Sequence, residues 1–65
     1  MIQFRFIEFN PRRAIRGADA ARVAVIEDCQ EDWLWMSERD IALNIKQFGP
    51  SDELLKAQLA YSEAA

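Results

Sequence analysis

Residues 20–36 read Ala20-Ala21-Arg22-Val23-Ala24-Val25-Ile26-Glu27-Asp28-Cys29-Gln30-Glu31-Asp32-Trp33-Leu34-Trp35-Met36, and the fold turns on whether they coil or extend. Ala20, Ala21 and Ala24 have the highest intrinsic helix propensity. Val25, Ile26, Cys29 and Trp33 fall on one face at helical spacing, and Asp19 stands where a cap would be. This reading predicts a helix over about 20–31, with Cys29 a small buried hydrophobe on it. The competing reading is a strand at Val23–Ile26, supported by its β-branched residues. Helix is the preferred reading. Trp33–Met36 then either ends that helix or forms a short second strand over 33–36, because periodicity cannot resolve an apolar run of four.

Upstream, Ile2, Phe4 and Phe6 alternate with Gln3 and Arg5, the period of a half-buried strand over about 2–9. Ile7 and Phe9 fall on the other parity, which predicts a bulge or burial of both faces near the strand's end. Asn10-Pro11 ends the strand, since proline has no N–H for the ladder. Pro11–Arg16 suits a single helical turn, with Asn10 as cap and Gly17 as stop. A lone strand leaves backbone groups unpaired. Its partner is therefore either Trp33–Met36 or the same strand of a second copy, and the small core favours a homodimer through Ile2–Phe9.

Downstream, the punctuation of two helices is written out. Ser37 caps the first, Asp40 reaches back to complete a capping box, and Met36 and Ile41 have the spacing of a hydrophobic staple. Ile41, Ile45 and Phe48 form an apolar stripe. Gly49 stops the helix through an αL termination and Pro50 forbids its continuation. Ser51 caps the second helix, with Asp52 and Glu53 in its first turn. Helices over about 38–48 and 52–62 make an αα-hairpin, and the tail from Ser62 frays. The fold class expected is α+β, mostly α: one N-terminal strand, a possible second strand over 33–36, and three helices, in one small domain spanning 1–65.

Composition narrows the function. The chain has 65 residues, no histidine and one cysteine. A Cys/His zinc site is excluded, and so are Ser-His-Asp and Cys-His nucleophiles. No P-loop, dinucleotide fingerprint or metal-ligand spacing occurs. The chain is expected not to be an enzyme and to need no cofactor or metal. No apolar run exceeds four residues, far below the ~20 of a membrane helix. Met1–Asn10 lacks the apolar stretch of a secretory signal, and a single free thiol suits the cytoplasm.

Charge is unevenly placed. Residues 1–26 carry Arg5, Arg12, Arg13, Arg16 and Arg22 against Glu8 and Asp19, while 27–65 carry nine acids against Arg39, Lys46 and Lys56. Such asymmetry implies internal pairing or two differently charged faces. Two candidate surfaces follow. Glu27, Asp28, Glu31 and Asp32, with Trp33 and Trp35 beside them, suit a protein partner, since tryptophan is enriched at binding hot spots. On a helix, Glu27/Glu31 and Asp28/Asp32 repel one another by a few tenths of a kcal/mol. Arg12, Arg13 and Arg16 are the alternative, as phosphate contacts of a weak nucleic-acid binder. No aromatic is interleaved with them in sequence. Residues 37–61 do not suit a DNA-reading helix-turn-helix, because the second helix opens with Asp52 and Glu53 and would repel phosphate. The expectation is a small acidic protein-interaction module, an inhibitor or adaptor, with an unidentified protein partner.

Overall fold

A computed structural model describes residues 1–15 and 19–64. Six elements follow in order: β1 (Ile2–Phe9), α1 (Pro11–Ile15), β2 (Ala21–Glu27), β3 (Gln30–Met36), α2 (Glu38–Phe48) and α3 (Asp52–Ala64). The strands form one antiparallel sheet in the order β1-β2-β3. The architecture is therefore not mostly α with a single strand, and the expected helix over 20–31 does not exist.

Tertiary context overrides helix propensity at residues 20–31. Ala20, Ala21, Val23 and Ala24 are fully buried, and β2 pairs on both sides, with β1 and with β3. A central strand hydrogen-bonded along both edges takes its conformation from its neighbours, whatever its residues prefer in isolation. Its small residues, which suggested helix, are what allow close approach from either side. β2 and β3 are joined by Asp28-Cys29, both at positive φ (49° and 67°), as a two-residue type I′ hairpin requires. That turn usually carries Asn-Gly or Asp-Gly, so Asp-Cys gave no hairpin signal. Cys29 is exposed at the tip, not buried on a helix.

β1 finds a partner within the chain, and that partner is β2 rather than Trp33–Met36. The register slips between Phe6 and Glu8. This single bulge at Ile7 returns Phe9 to the side of Phe4 and Phe6, and all three pack on the core. Asn10 then caps α1, its side-chain oxygen accepting the Arg12 N–H at 3.0 Å. Arg16 and Gly17, expected to end that turn, lie outside the described residues.

One face of the sheet is covered by α2 and α3. Ala21, Val23 and Met36 meet Ile41, Leu54 and Ala57 in the core, with Phe4, Phe6, Phe9, Val25, Ile45 and Tyr61 packed around them. Ser37 and Asp40 exchange both bonds of a capping box, each at 3.1 Å, and the staple pair Met36 and Ile41 is buried. Gly49 donates to the Ile45 carbonyl at 2.8 Å, but with φ 88° and ψ 161° it is not left-handed helical, so the expected αL ending does not form. The residue before a proline is driven to extended ψ, and that ψ with positive φ is open essentially to glycine alone. Ser51 caps α3 through the Leu54 N–H at 3.2 Å, and α3 continues through Ala64 with no fraying at Ser62.

Two side chains of α3 also finish the sheet. Glu53 accepts the Phe6 N–H at 3.1 Å on the outer edge of β1 and pairs with Lys56 at 2.6 Å. The Lys56 bond holds the Glu53 carboxyl below the usual carboxylate range, with the Phe6 amide contributing. The Tyr61 hydroxyl accepts from the Ala20 N–H and donates to the Met36 carbonyl, both at 2.7 Å.

Two stability changes follow. Ser37→Ala removes the cap of α2 and should lower stability by roughly 0.5–2 kcal/mol; an unchanged urea midpoint would show the capping box to be idle. Cys29→Gly should stabilise the hairpin by roughly 0.5–1 kcal/mol, because relief of left-handed strain outweighs the added freedom of the unfolded chain. A lower midpoint for that variant would show that the turn is unstrained.

Candidate interaction surface

The strands' pleat decides which side chains share the uncovered face. Phe4, Val23 and Val25 point to the helices, so their neighbours point away. The register aligns Arg5 with Ala24 and Trp33, Glu8 with Arg22 and Trp35, and Gln3 with Ile26 and Glu31. Neither α2 nor α3 covers these residues. Ala24 is fully buried all the same: its neighbours across the pleat, Arg5 and Trp33, are long enough to shelter a methyl group.

On this face arginine and tryptophan alternate in space although they are far apart in sequence. The Arg22 guanidinium lies 4.8 Å from the Trp33 ring centre and 5.5 Å from that of Trp35. Arg13 lies over Trp35 at 4.1 Å. α1 is what delivers it: Asn10 and Pro11 start the turn, and the Arg13 Nε–H donates to the Asp19 carbonyl, which aims the guanidinium across the sheet. Such contacts contribute about 0.5–1 kcal/mol each at exposed sites. Arg5 pairs with Glu31, and that hydrogen bond holds the Glu31 carboxyl below its usual range. Among the described residues, neither Arg13 nor Arg22 has a carboxylate partner. Trp33 remains 52% exposed.

The two expected patches are both rearranged. The acidic and aromatic stretch is split by the hairpin. Glu31, Trp33 and Trp35 share the open face, Asp32 pairs with Val25 on the helix side, and Glu27 and Asp28 sit at the tip. The helical repulsion of Glu27/Glu31 and Asp28/Asp32 is absent, because no helix exists there. All four acids are exposed. Among the described residues of the arginine patch, Arg13 reaches the tryptophans and Arg12 is exposed without such a contact; Arg16 lies outside the described residues. Arg5 and Arg22 were missed as members. Reading 21–27 as a strand would have placed Arg22 across from Trp35.

Elsewhere the surface offers little. A shallow cleft of about 290 Å³ between β1 and the α2–α3 turn is lined by Ile2, Phe4, Phe48 and Pro50 among others, with no charged side chain. Among the described residues no three metal-ligating side chains come together, and no helix is long and apolar enough to cross a membrane. Compared with known proteins, the chain matches no family model, no curated protein and no solved structure.

The ladder is testable by itself. A double-mutant cycle on Arg22→Ala and Trp33→Ala should return a coupling of about 0.5–1 kcal/mol. Additive effects would mean that the two side chains are neighbours without interacting.

Proposed function

We propose that this chain is a small protein-interaction module, of the inhibitor or adaptor kind, whose partner docks on the open face of the sheet. The reading rests on the half-exposed Trp33 set among Arg5, Arg22 and the Arg13–Trp35 stack. Tryptophan and arginine dominate the residues that carry binding energy. Stacking holds these long side chains in place before a partner arrives, which reduces the entropy lost on binding. Trp33 and Trp35 are the anchors in this proposal. Glu27, Asp28 and Asp32 form an acidic rim at one end, where charge governs association rate more than affinity. The role is non-catalytic, and the cytoplasm suits an exposed thiol such as Cys29.

A second reading places single-stranded nucleic acid on the same face. The spatial interleaving of three arginines with two tryptophans favours it, since bases stack on aromatic rings while cations meet phosphate. The net charge of −3 and the acidic tip disfavour it, because the wider field repels phosphate.

The experiment is affinity capture with quantitative mass spectrometry, comparing the wild type with Trp33→Ala and with the tip variant Glu27→Lys/Asp28→Lys. The expected result is a protein retained by the wild type and by the tip variant but depleted at least about tenfold by Trp33→Ala, the scale of a hot-spot truncation. Equal retention by Trp33→Ala would overturn the assignment of the face. In parallel, labelled single-stranded RNA and DNA are titrated at low salt. Sub-micromolar binding that vanishes in Arg13→Ala/Arg22→Ala would transfer the surface to nucleic acid.

A further inference from the structure

The sheet has two edges, and the chain treats them differently. On β1 the outward edge is closed: Ile7 bulges it, Glu53 takes the Phe6 N–H, and Pro11 follows its end. Bulges, charges and proline are the devices by which folded proteins keep an edge from recruiting another strand. β3 has neither a bulge nor a proline, and its register with β2 is continuous over seven residues, from Gln30 to Met36.

The direction of its free groups can be worked out. The closing pair of a two-residue hairpin exchanges both backbone bonds, and alternate residues then turn the other way. Gln30, Asp32, Leu34 and Met36 therefore bond to β2. Glu31, Trp33 and Trp35 aim their N–H and C=O groups at the edge. The same alternation carried across β2 predicts that Phe6 faces outward on β1, where its N–H indeed meets Glu53. On either side of the β3 edge lie two large exposed apolar residues, Trp33 at 52% on the open face and Leu34 at 48% on the helix side.

We infer that β3 is the docking edge for a second copy of this chain, pairing antiparallel about a two-fold axis at Trp33 to make one six-stranded sheet. Charge selects this occupant and this register. The acids of β3, Glu31 and Asp32, lie at one end of the strand, and the arginines stacked on Trp35 lie at the other. Antiparallel pairing centred on Trp33 sets Glu31 of one copy opposite Trp35 of the other, beside the Arg13 and Arg22 guanidinium groups that overlie it. Parallel pairing would instead bring acid against acid, and an axis at Asp32 would oppose Asp32 with itself, both destabilising. In the Trp33 register, the outward groups of Glu31, Trp33 and Trp35 all find partners, and on the helix side Leu34 lies across from Asp32 of the other copy. The two Trp33 side chains meet at the axis on the open face, and the Arg13–Trp35–Arg22 stack of each copy lies beside them, so this interface adjoins the proposed partner-binding face.

The test combines sedimentation with amide hydrogen exchange on the full chain. At tens of micromolar, the expected mass is twice the 7.5 kDa protomer. On raising the concentration, the amides of Glu31, Trp33 and Trp35 should gain protection while those of Ile2 and Phe4 do not. Leu34→Asp lies off the Trp/Arg face and sets a like charge against Asp32 of the other copy, so it should raise the dimer dissociation constant by about tenfold or more, as should Glu31→Arg, which faces the other copy's arginines. A monomer throughout the micromolar range overturns the inference. So does a dimer whose added protection falls on β1, or one indifferent to both substitutions. The Leu34 substitution leaves every residue of the Trp/Arg face in place, so loss of the dimer with partner capture retained is distinguishable from loss of partner capture.

Discussion

Everything in this molecule leans on β2 being hydrogen-bonded from both sides. A strand in the middle of a sheet has no free backbone edge, and its side chains meet other protein on either face. Ala21 and Val23 lie against the helices, and Ala24 is closed off on the other side by Arg5 and Trp33. β1 and β3 have their register through β2 and make no strand pairing with each other. The αα-hairpin packs on a surface that exists only once those three strands are aligned. Arg22, which organises the open face, is also a β2 residue.

The local elements were legible because their chemistry is local. A capping box, a staple and a glycine before a proline each act within a turn, so Ser37, Asp40, Met36, Ile41 and Gly49 could be read without knowing the fold. The slip at Ile7 was legible for a similar reason, since a change of parity within one strand has few causes. β2 was misread because its identity is set from outside. Three alanines favour helix in isolation, and only burial between two strands makes them strand residues. The hairpin turn hid itself as well: Asp28 and Cys29 adopt positive φ without the glycine that normally announces it.

The interaction surface suffered more from this than the fold did. Trp33 and Trp35 stand out in the sequence as candidate anchors, but the companions expected for them were their sequence neighbours, the acids. The sheet supplies companions from three other elements instead: Arg5 from β1, Arg13 from α1 and Arg22 from β2. Period-two geometry separates Asp32 from Trp33 onto opposite faces, so adjacency in sequence becomes distance in space. Arg12 and Arg13, adjacent in the sequence, are likewise separated, with Arg13 drawn over Trp35 and Arg12 left outside the stack.

The Tyr61 hydroxyl has a consequence for cooperativity. It accepts a hydrogen bond from the Ala20 N–H and donates one to the Met36 carbonyl, joining the start of β2 to the end of β3 through a residue of α3. An oxygen that both accepts and donates works as a relay, and neither bond survives if α3 lifts away. Detaching the helix would leave a backbone donor and an acceptor at the closed end of the sheet to be resolvated together. Local opening of α3 is thereby coupled to loosening of β2 and β3, so the helix and the sheet end behave as one unfolding unit rather than as a helix that melts alone.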